Sequence, residues 1–178
     1  MVAIPTLQTE RLDLRHFTVA DATRVEELLA TPEIATTTAS ITYPYPPGAA
    51  LGWISTHADD AAQDRGISWA LALHDGTVIG TIGLRLTPPH RRGSVGYWLG
   101  TDYWNHGYMT EALRAVIAWA FVKLGYVRIE AMCLPRNPSS GRVMEKAGMV
   151  FEGRLRSHVV KNAISEDLLL YAIVRDDG

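Results

Sequence analysis

The run Val95-Gly96-Tyr97-Trp98-Leu99-Gly100-Thr101-Asp102-Tyr103-Trp104-Asn105-His106-Gly107-Tyr108-Met109-Thr110-Glu111-Ala112 joins a strand to a helix through a glycine turn. Ser94 to Leu99 reads as the strand. The helix follows because Met109, Ala112, Leu113, Val116, Ile117, Ala120, Phe121 and Leu124 recur at the helical period, and Gly125 sits where a left-handed C-terminal cap belongs. A helix that starts directly after such a turn aims its unpaired N–H groups and its positive dipole end at one place, a ready site for a pyrophosphate. Gly107 lets the backbone approach where a side chain would hold it off. The run lacks the Gly-Lys-Ser/Thr ending of a Walker loop and the three-glycine dinucleotide spacing. Many strand-to-helix turns with one glycine bind nothing, so the turn alone assigns no ligand.

Downstream, Val127, Ile129, Ala131 and Cys133 alternate with Arg128, Glu130 and Met132 as a strand. The strand, helix, strand unit predicts a parallel pair joined by a right-handed crossover. Ser139 to Ala147 reads as a short helix closed by Gly148, and two last strands cover about 155–161 and 167–174. Upstream, Arg11 to Arg15 alternate as a half-buried strand, and Thr18 with Asp21 resembles a capping box that opens a helix to about Ala30. Residues 31–47, rich in Thr, Pro and Tyr, read as a long loop and a candidate substrate lid. A helix from Ala49 to about Asp64 precedes a hairpin, Ser68–Leu73 and Thr77–Leu86, turning at Asp75-Gly76. These elements predict an α/β fold in one domain spanning 1–178, its core at 7–174. The sheet is expected to be mixed and mostly antiparallel, of about six or seven strands with about four helices on its faces.

With 178 residues, 47% hydrophobic and 20% charged, the chain can bury one core, and its formal net charge of −2 offers no basic surface for nucleic acid or anionic membrane. Cys133 is the sole cysteine, so no intrachain disulfide forms. No apolar run reaches the length of a membrane span and Met1 to Asp13 carries no signal-peptide pattern, so the expectation is a soluble, cytoplasmic protein. The six histidines show no ligand-like spacing, and no metal is expected.

A second motif, Asn137-Pro138-Ser139-Ser140-Gly141-Arg142-Val143-Met144-Glu145-Lys146-Ala147-Gly148-Met149, also admits a bland reading, with Asn137 and Ser140 as helix caps. Its order after the first turn is what makes the combination specific. Together they resemble the GCN5-related N-acetyltransferase superfamily, and within it the branch that acetylates the N-termini of ribosomal proteins. Leu7-Gln8-Thr9-Glu10-Arg11-Leu12-Asp13-Leu14-Arg15 is similar to that branch's first strand, Trp104 to Ala112 to its pyrophosphate turn, and Asn137 to Met149 to its coenzyme A helix. The likeness runs over about 7–174.

The resemblance implies acetyl-CoA as cosubstrate and a sheet splayed at its parallel pair. The pantetheine arm would pair with the backbone around Trp98 and Leu99 in that gap. Backbone N–H groups of Asn105, His106, Gly107, Tyr108 and Met109, with the Thr110 hydroxyl, would hold the pyrophosphate; Asn137 would bond the pantetheine and Ser140 would lie near the thioester sulfur. Trp104 stands where the wider superfamily has Arg or Gln, and Met109 where it has a small residue, in agreement with the narrower branch. The superfamily's usual tyrosine acid is replaced by Met144, which makes Ser140 the substitute candidate. Transfer would proceed by direct attack of a neutral amine, with the Leu99 N–H stabilising the oxyanion. An α-amine, of pKa about 7.7 to 8.0, is appreciably neutral at pH 7, whereas a lysine near 10.4 is neutral in about one molecule in 2,500.

No base is evident in the sequence. The branch's glutamate position matches Val159, leaving its neighbour His158 and the strand residue Glu130 as candidates. Tyr43, Tyr45 and Trp53 either shape the acceptor pocket or pack the lid, and Arg91-Arg92 either meets the 3′-phosphate or solvates a loop. The acceptor is expected to be a protein N-terminus, with a small amine (polyamine, amino acid or antibiotic) or a catalytically weak coenzyme A-binding module as alternatives. An open, acidic groove would suit a peptide and a closed pocket a small molecule. A homodimer is what the branch suggests.

Overall fold

The computed structural model describes residues 4–175. Strands β1 (Leu7–Gln8) and β2 (Leu12–Arg15) form a first hairpin, followed by helices α1 (Asp21–Leu29), α2 (Pro32–Thr37) and α3 (Ala49–Ala62). Strands β3 (Gly66–Leu73), β4 (Val78–Thr87) and β5 (Arg92–Leu99) form a meander. Helix α4 (Tyr108–Lys123), strand β6 (Arg128–Cys133), helix α5 (Pro138–Lys146) and the hairpin β7 (Val150–Lys161) and β8 (Ile164–Val174) complete the order. The sheet runs β1-β2-β3-β4-β5-β6-β8-β7, and β5–β6 is its parallel pair.

The α/β class, the mixed sheet and the α4 crossover agree with the sequence reading, and the strand count is higher than expected. Among the described residues there are eight strands and five α-helices. One extra strand is β1, two residues whose alternation is too short to register. The late strands are longer than the reading gave because bulges between Phe151 and Gly153 and between Leu155 and Val159 break the two-residue period. The extra helix is α2, inside the presumed loop. Pro32 opens it with its preset φ, Ile34 and Ala35 are buried, and six residues are too few to display a period.

The face of α4 predicted to be apolar is the one that packs. Met109, Ala112, Leu113, Val116, Ile117 and Ala120 are buried against Val95, Leu99, Ile129 and Ala131 of the parallel pair. Capping at α1 runs through its acid: the Asp21 carboxylate accepts the Thr18 N–H at 2.7 Å and the Arg15 guanidinium at 2.8 and 2.9 Å. A smaller cluster of Val25, Leu29, Ile34 and Ala50 lies among α1, α2 and α3, and Trp98 packs against it. No helix among the described residues is long and apolar enough to cross a membrane.

Candidate active site

The gap between β5 and β6 follows from where their pairing stops. Their register ends at Val95–Ala131, whereas β4 and β5 stay paired to Gly80–Leu99. Two hydrogen bonds fix which residues face the gap. Val127 N–H donates to Arg91 C=O at 2.8 Å on the β6 side, and Gly100 N–H donates to Ile79 C=O at 2.9 Å on the β4 side. Because backbone polar groups alternate along a strand, odd-numbered residues of β5 turn toward β6 and even-numbered ones toward β4. Tyr97 and Leu99 therefore present their backbone to the gap, and Trp98 turns its own to Thr81. This corrects the sequence expectation at Trp98, whose gap-facing place belongs to Tyr97; residue numbers alone do not reveal the phase of a strand. Leu99 C=O accepts the Trp104 indole N–H at 2.9 Å, which leaves the Leu99 N–H facing the gap.

Beside the open end of the gap lies the glycine turn. Asn105 (φ 64°) and Gly107 (φ 82°) are both in the left-handed region, and α4 begins at Tyr108. Such a turn gathers successive N–H groups into an anion-binding concavity at the helix's positive end. Asn105, Gly107, Tyr108, Met109 and Thr110 line the cavity described below; His106 is exposed, stacks on Tyr108 at 5.9 Å and is not part of the lining.

The turn is held from behind by three residues the sequence reading did not single out. Glu111 accepts the Thr9 hydroxyl at 2.6 Å, the Arg11 N–H at 2.8 Å and the Arg11 guanidinium at 2.8 Å, and the same guanidinium donates to His106 C=O at 2.8 Å. Burial works against the charge on Glu111, but these hydrogen bonds outweigh it and hold its carboxyl below the usual range. The Thr9-Glu10-Arg11 segment belonged to the family resemblance, but nothing in one sequence pairs it with a glutamate a hundred positions on.

The cavity has a volume of about 920 Å³ and passes from the turn through the gap to the space under α2. Ser140 lies in it at the start of α5, and its Oγ is 2.9 Å from the Tyr97 hydroxyl. Asn137 caps α5 by accepting the Ser140 N–H at 3.2 Å, and its Nδ2 donates to Thr37 C=O at 3.0 Å. Part of the bland reading therefore holds: Asn137 is a cap, and also a tie to the lid. Burial raises the Cys133 thiol above its ordinary pKa, and Cys133 sits in the same wall as a small strand residue.

The 31–47 segment, the candidate lid, is strapped down. Lys161 Nζ donates to the carbonyls of Ala35, Thr38 and Ile41, and Arg136, itself paired with Glu166, donates to Thr36 C=O at 2.9 Å. With the Thr36, Thr37 and Thr38 hydroxyls, which donate to Glu33 and Ile34 C=O, these donors satisfy the carbonyls that end α2, which is how a short Thr-rich helix persists. Tyr45 and Trp53 line the cavity beneath it. Among the described residues, no carboxylate and no imidazole lines the cavity, so the acidic groove expected for a peptide is not what the fold builds.

The remaining candidates lie elsewhere. His158 is exposed beside the β7 bulge, outside the cavity, and Glu130 is engaged by Arg92 and Arg128. Arg91 donates to Gly125 C=O at 2.9 and 2.7 Å. Both arginines of the Arg91-Arg92 pair are thus held at the end of β5 opposite the turn. Cationic side chains of α5, Arg142 and Lys146, do line the cavity. No group of three or more His, Cys, Asp or Glu among the described residues is arranged to hold a metal ion.

The comparisons with known proteins agree with this geometry. The acetyltransferase (GNAT) domain family matches residues 11–150. An uncharacterized N-acetyltransferase, YoaA of Bacillus subtilis, is 32% identical over 173 residues, covering 96% of this chain and 97% of that protein. The ribosomal-protein-serine acetyltransferase of Escherichia coli is 30% identical over 100 residues, 56% of each chain. A solved probable acetyltransferase superposes with a TM-score of 0.87 at 26% identity, over 99% of this chain and 100% of its own. A splayed parallel pair, an N–H nest at its mouth and a cavity joining the two suit an acyl-CoA, and the chain belongs to the GNAT family as an acetyl-CoA-dependent N-acetyltransferase that acts on an amine.

Proposed function

We propose that the acceptor is an α-amino group, most simply the N-terminus of a protein. The observation that carries this reading is the lack of any carboxylate or imidazole among the described cavity-lining residues, which removes the acidic groove expected for a peptide but weighs more heavily against polycations and lysine. A polyamine or an aminoglycoside brings several positive charges, and burying them without counter-charges is costly. A lysine acceptor must lose a proton against a pKa near 10.4 with no enzymic base to take it. An α-amine needs neither, since at pKa about 7.7 to 8.0 roughly a tenth to a sixth of it is already neutral at pH 7. The kinship with an enzyme named for a ribosomal-protein serine supports the same choice.

In this reading the N–H groups of Tyr108, Met109 and Thr110 bind the pyrophosphate, and the Tyr97 and Leu99 backbone pairs with the pantetheine. The thioester carbonyl then lies by the Leu99 N–H, which stabilises the oxyanion formed as the amine attacks. Ser140 stands at the departing sulfur, and water carries away the amine proton. A neutral free amino acid is the second reading, favoured by the strap of Lys161 and Arg136 over the cavity. Thiol release from acetyl-CoA, followed with peptides bearing free or blocked N-termini beside free amino acids, polyamines and aminoglycosides, separates these. Turnover confined to free-N-terminal peptides is expected; turnover on polycations alone would overturn the proposal.

A further inference from the structure

We infer that Tyr97 is a positioning residue for the transfer, setting which way the single hydroxyl proton of Ser140 points. The inference rests on the reading that Ser140 stands at the leaving sulfur. The Tyr97 hydroxyl oxygen lies 2.9 Å from Ser140 Oγ and 3.2 Å from Ser140 C=O, so two sites on one residue compete for one phenolic proton. When the phenol donates to the carbonyl, Ser140 Oγ–H donates back to the phenol oxygen and has nothing left for a ligand. When the phenol donates to Ser140 Oγ, the serine proton is released into the cavity that both residues line. In that second arrangement the serine both accepts and donates, and hydrogen bonds in such a chain strengthen one another.

A negative sulfur beside Ser140 selects the second arrangement, because an anion is the stronger acceptor. The chemistry balances without a proton lost from the enzyme. The amine nitrogen bonds to the thioester carbon, and the C–S bond breaks with its electron pair on sulfur. The nitrogen gives its extra proton to water; sulfur takes the Ser140 hydrogen bond as it departs and later a proton from water. Burial raises the Tyr97 pKa strongly, beyond what the Ser140 contact takes back, so the phenol stays a donor throughout the working pH range. Of the neighbouring side chains, Tyr171 reaches Glu145 at 3.5 Å, and Met144, buried at the position of the superfamily's usual acid, has no proton to give. Strand β5 thereby supplies, behind Ser140, the phenol that helix α5 lacks at Met144.

The test is a double-mutant cycle on the full chain with acetyl-CoA and a free-N-terminal peptide, reading kcat, the KM for acetyl-CoA and the melting temperature. Tyr97→Phe keeps the ring and is expected to lower kcat about three- to tenfold, with KM and melting temperature essentially unchanged. In a Ser140→Ala background the same change should add nothing, and in a Ser140→Thr background, which restores the hydroxyl, the penalty should return. A Tyr97→Phe loss equal in all three backgrounds would overturn the inference as a general packing effect. No loss from Tyr97→Phe, with Ser140→Ala still slow, would overturn it and leave Ser140 in place; an unimpaired Ser140→Ala would remove the reading beneath it.

Discussion

The carboxamide of Asn137 donates to Thr37 C=O at 3.0 Å and accepts the Ser140 N–H at 3.2 Å, so one side chain ties the lid to the helix that carries Ser140. The two halves of that role separate by substitution. Asn137→Ala removes cap and tie and should cost about 1 kcal/mol, a fall of roughly 2–4 °C in melting temperature, together with a lower kcat. Asn137→Ser keeps an acceptor for the cap but is too short to reach Thr37. It should restore most of the melting temperature while leaving kcat lowered, as differential scanning and steady-state kinetics would show.

At the turn, Gly107 has φ 82°, and a Cβ there would meet only the Arg11 guanidinium at 3.4 Å. The cost of a larger residue is therefore conformational and electrostatic. Gly107→Val places a β-branched residue in the left-handed region at a cost of at least about 1–2 kcal/mol, which distorts the nest rather than the core. Acetyl-CoA affinity by calorimetry should fall roughly tenfold. Unchanged affinity would count against the pyrophosphate lying on this turn.

Glu111 gives a pH signature of known sign. Its carboxyl is held below the usual range in the folded chain, so the native state binds fewer protons than the unfolded one as pH falls. The stability it contributes is fully present above the unfolded value near pH 4.5 and is lost as pH falls through the lower folded value. Glu111→Gln, which cannot ionise, should be less stable than the parent at pH 7, and the gap in melting temperature should close as the buffer is taken below pH 4. A constant gap from pH 7 to pH 3 would mean that the charge is not what holds Thr9 and Arg11.

With no carboxylate or imidazole in the described lining, the proposed mechanism leaves the acceptor's own amine to set the pH dependence. The kcat/KM for a peptide should therefore rise with pH along the titration of the acceptor's own amine, about pKa 7.7 to 8.0. Acceptors of lower amine pKa should shift the curve down with them. A limb that stays near pH 6 whatever the acceptor would reveal a base reaching the cavity.

What could be read in the sequence follows from how local its cause is. The α4 stripe from Met109 to Ala120 and its glycine-turn start are written in consecutive residues, and the crossover follows from them. The gap could be expected only through the family likeness, and which backbone groups face it depends on the phase of β5, which turns Tyr97 rather than Trp98 toward it, although both side chains line the cavity. Thr9 and Arg11 with Glu111, and Lys161 with α2, are contacts between positions about a hundred residues apart that no period records. The α2 helix escaped notice because six residues show no period and because, beyond the local Thr36, Thr37 and Thr38 hydroxyls that bond Glu33 and Ile34 C=O, its last carbonyls are satisfied by those distant side chains.

The central claim, transfer to an α-amine without an enzymic base, is tested most directly on one peptide carrying a free N-terminus and an internal lysine. After incubation with acetyl-CoA near pH 7, fragment-ion mass spectrometry locates the acetyl group. The account predicts it on the α-nitrogen with the lysine unmodified. Acetyl on the lysine, with the α-amine untouched, would contradict it.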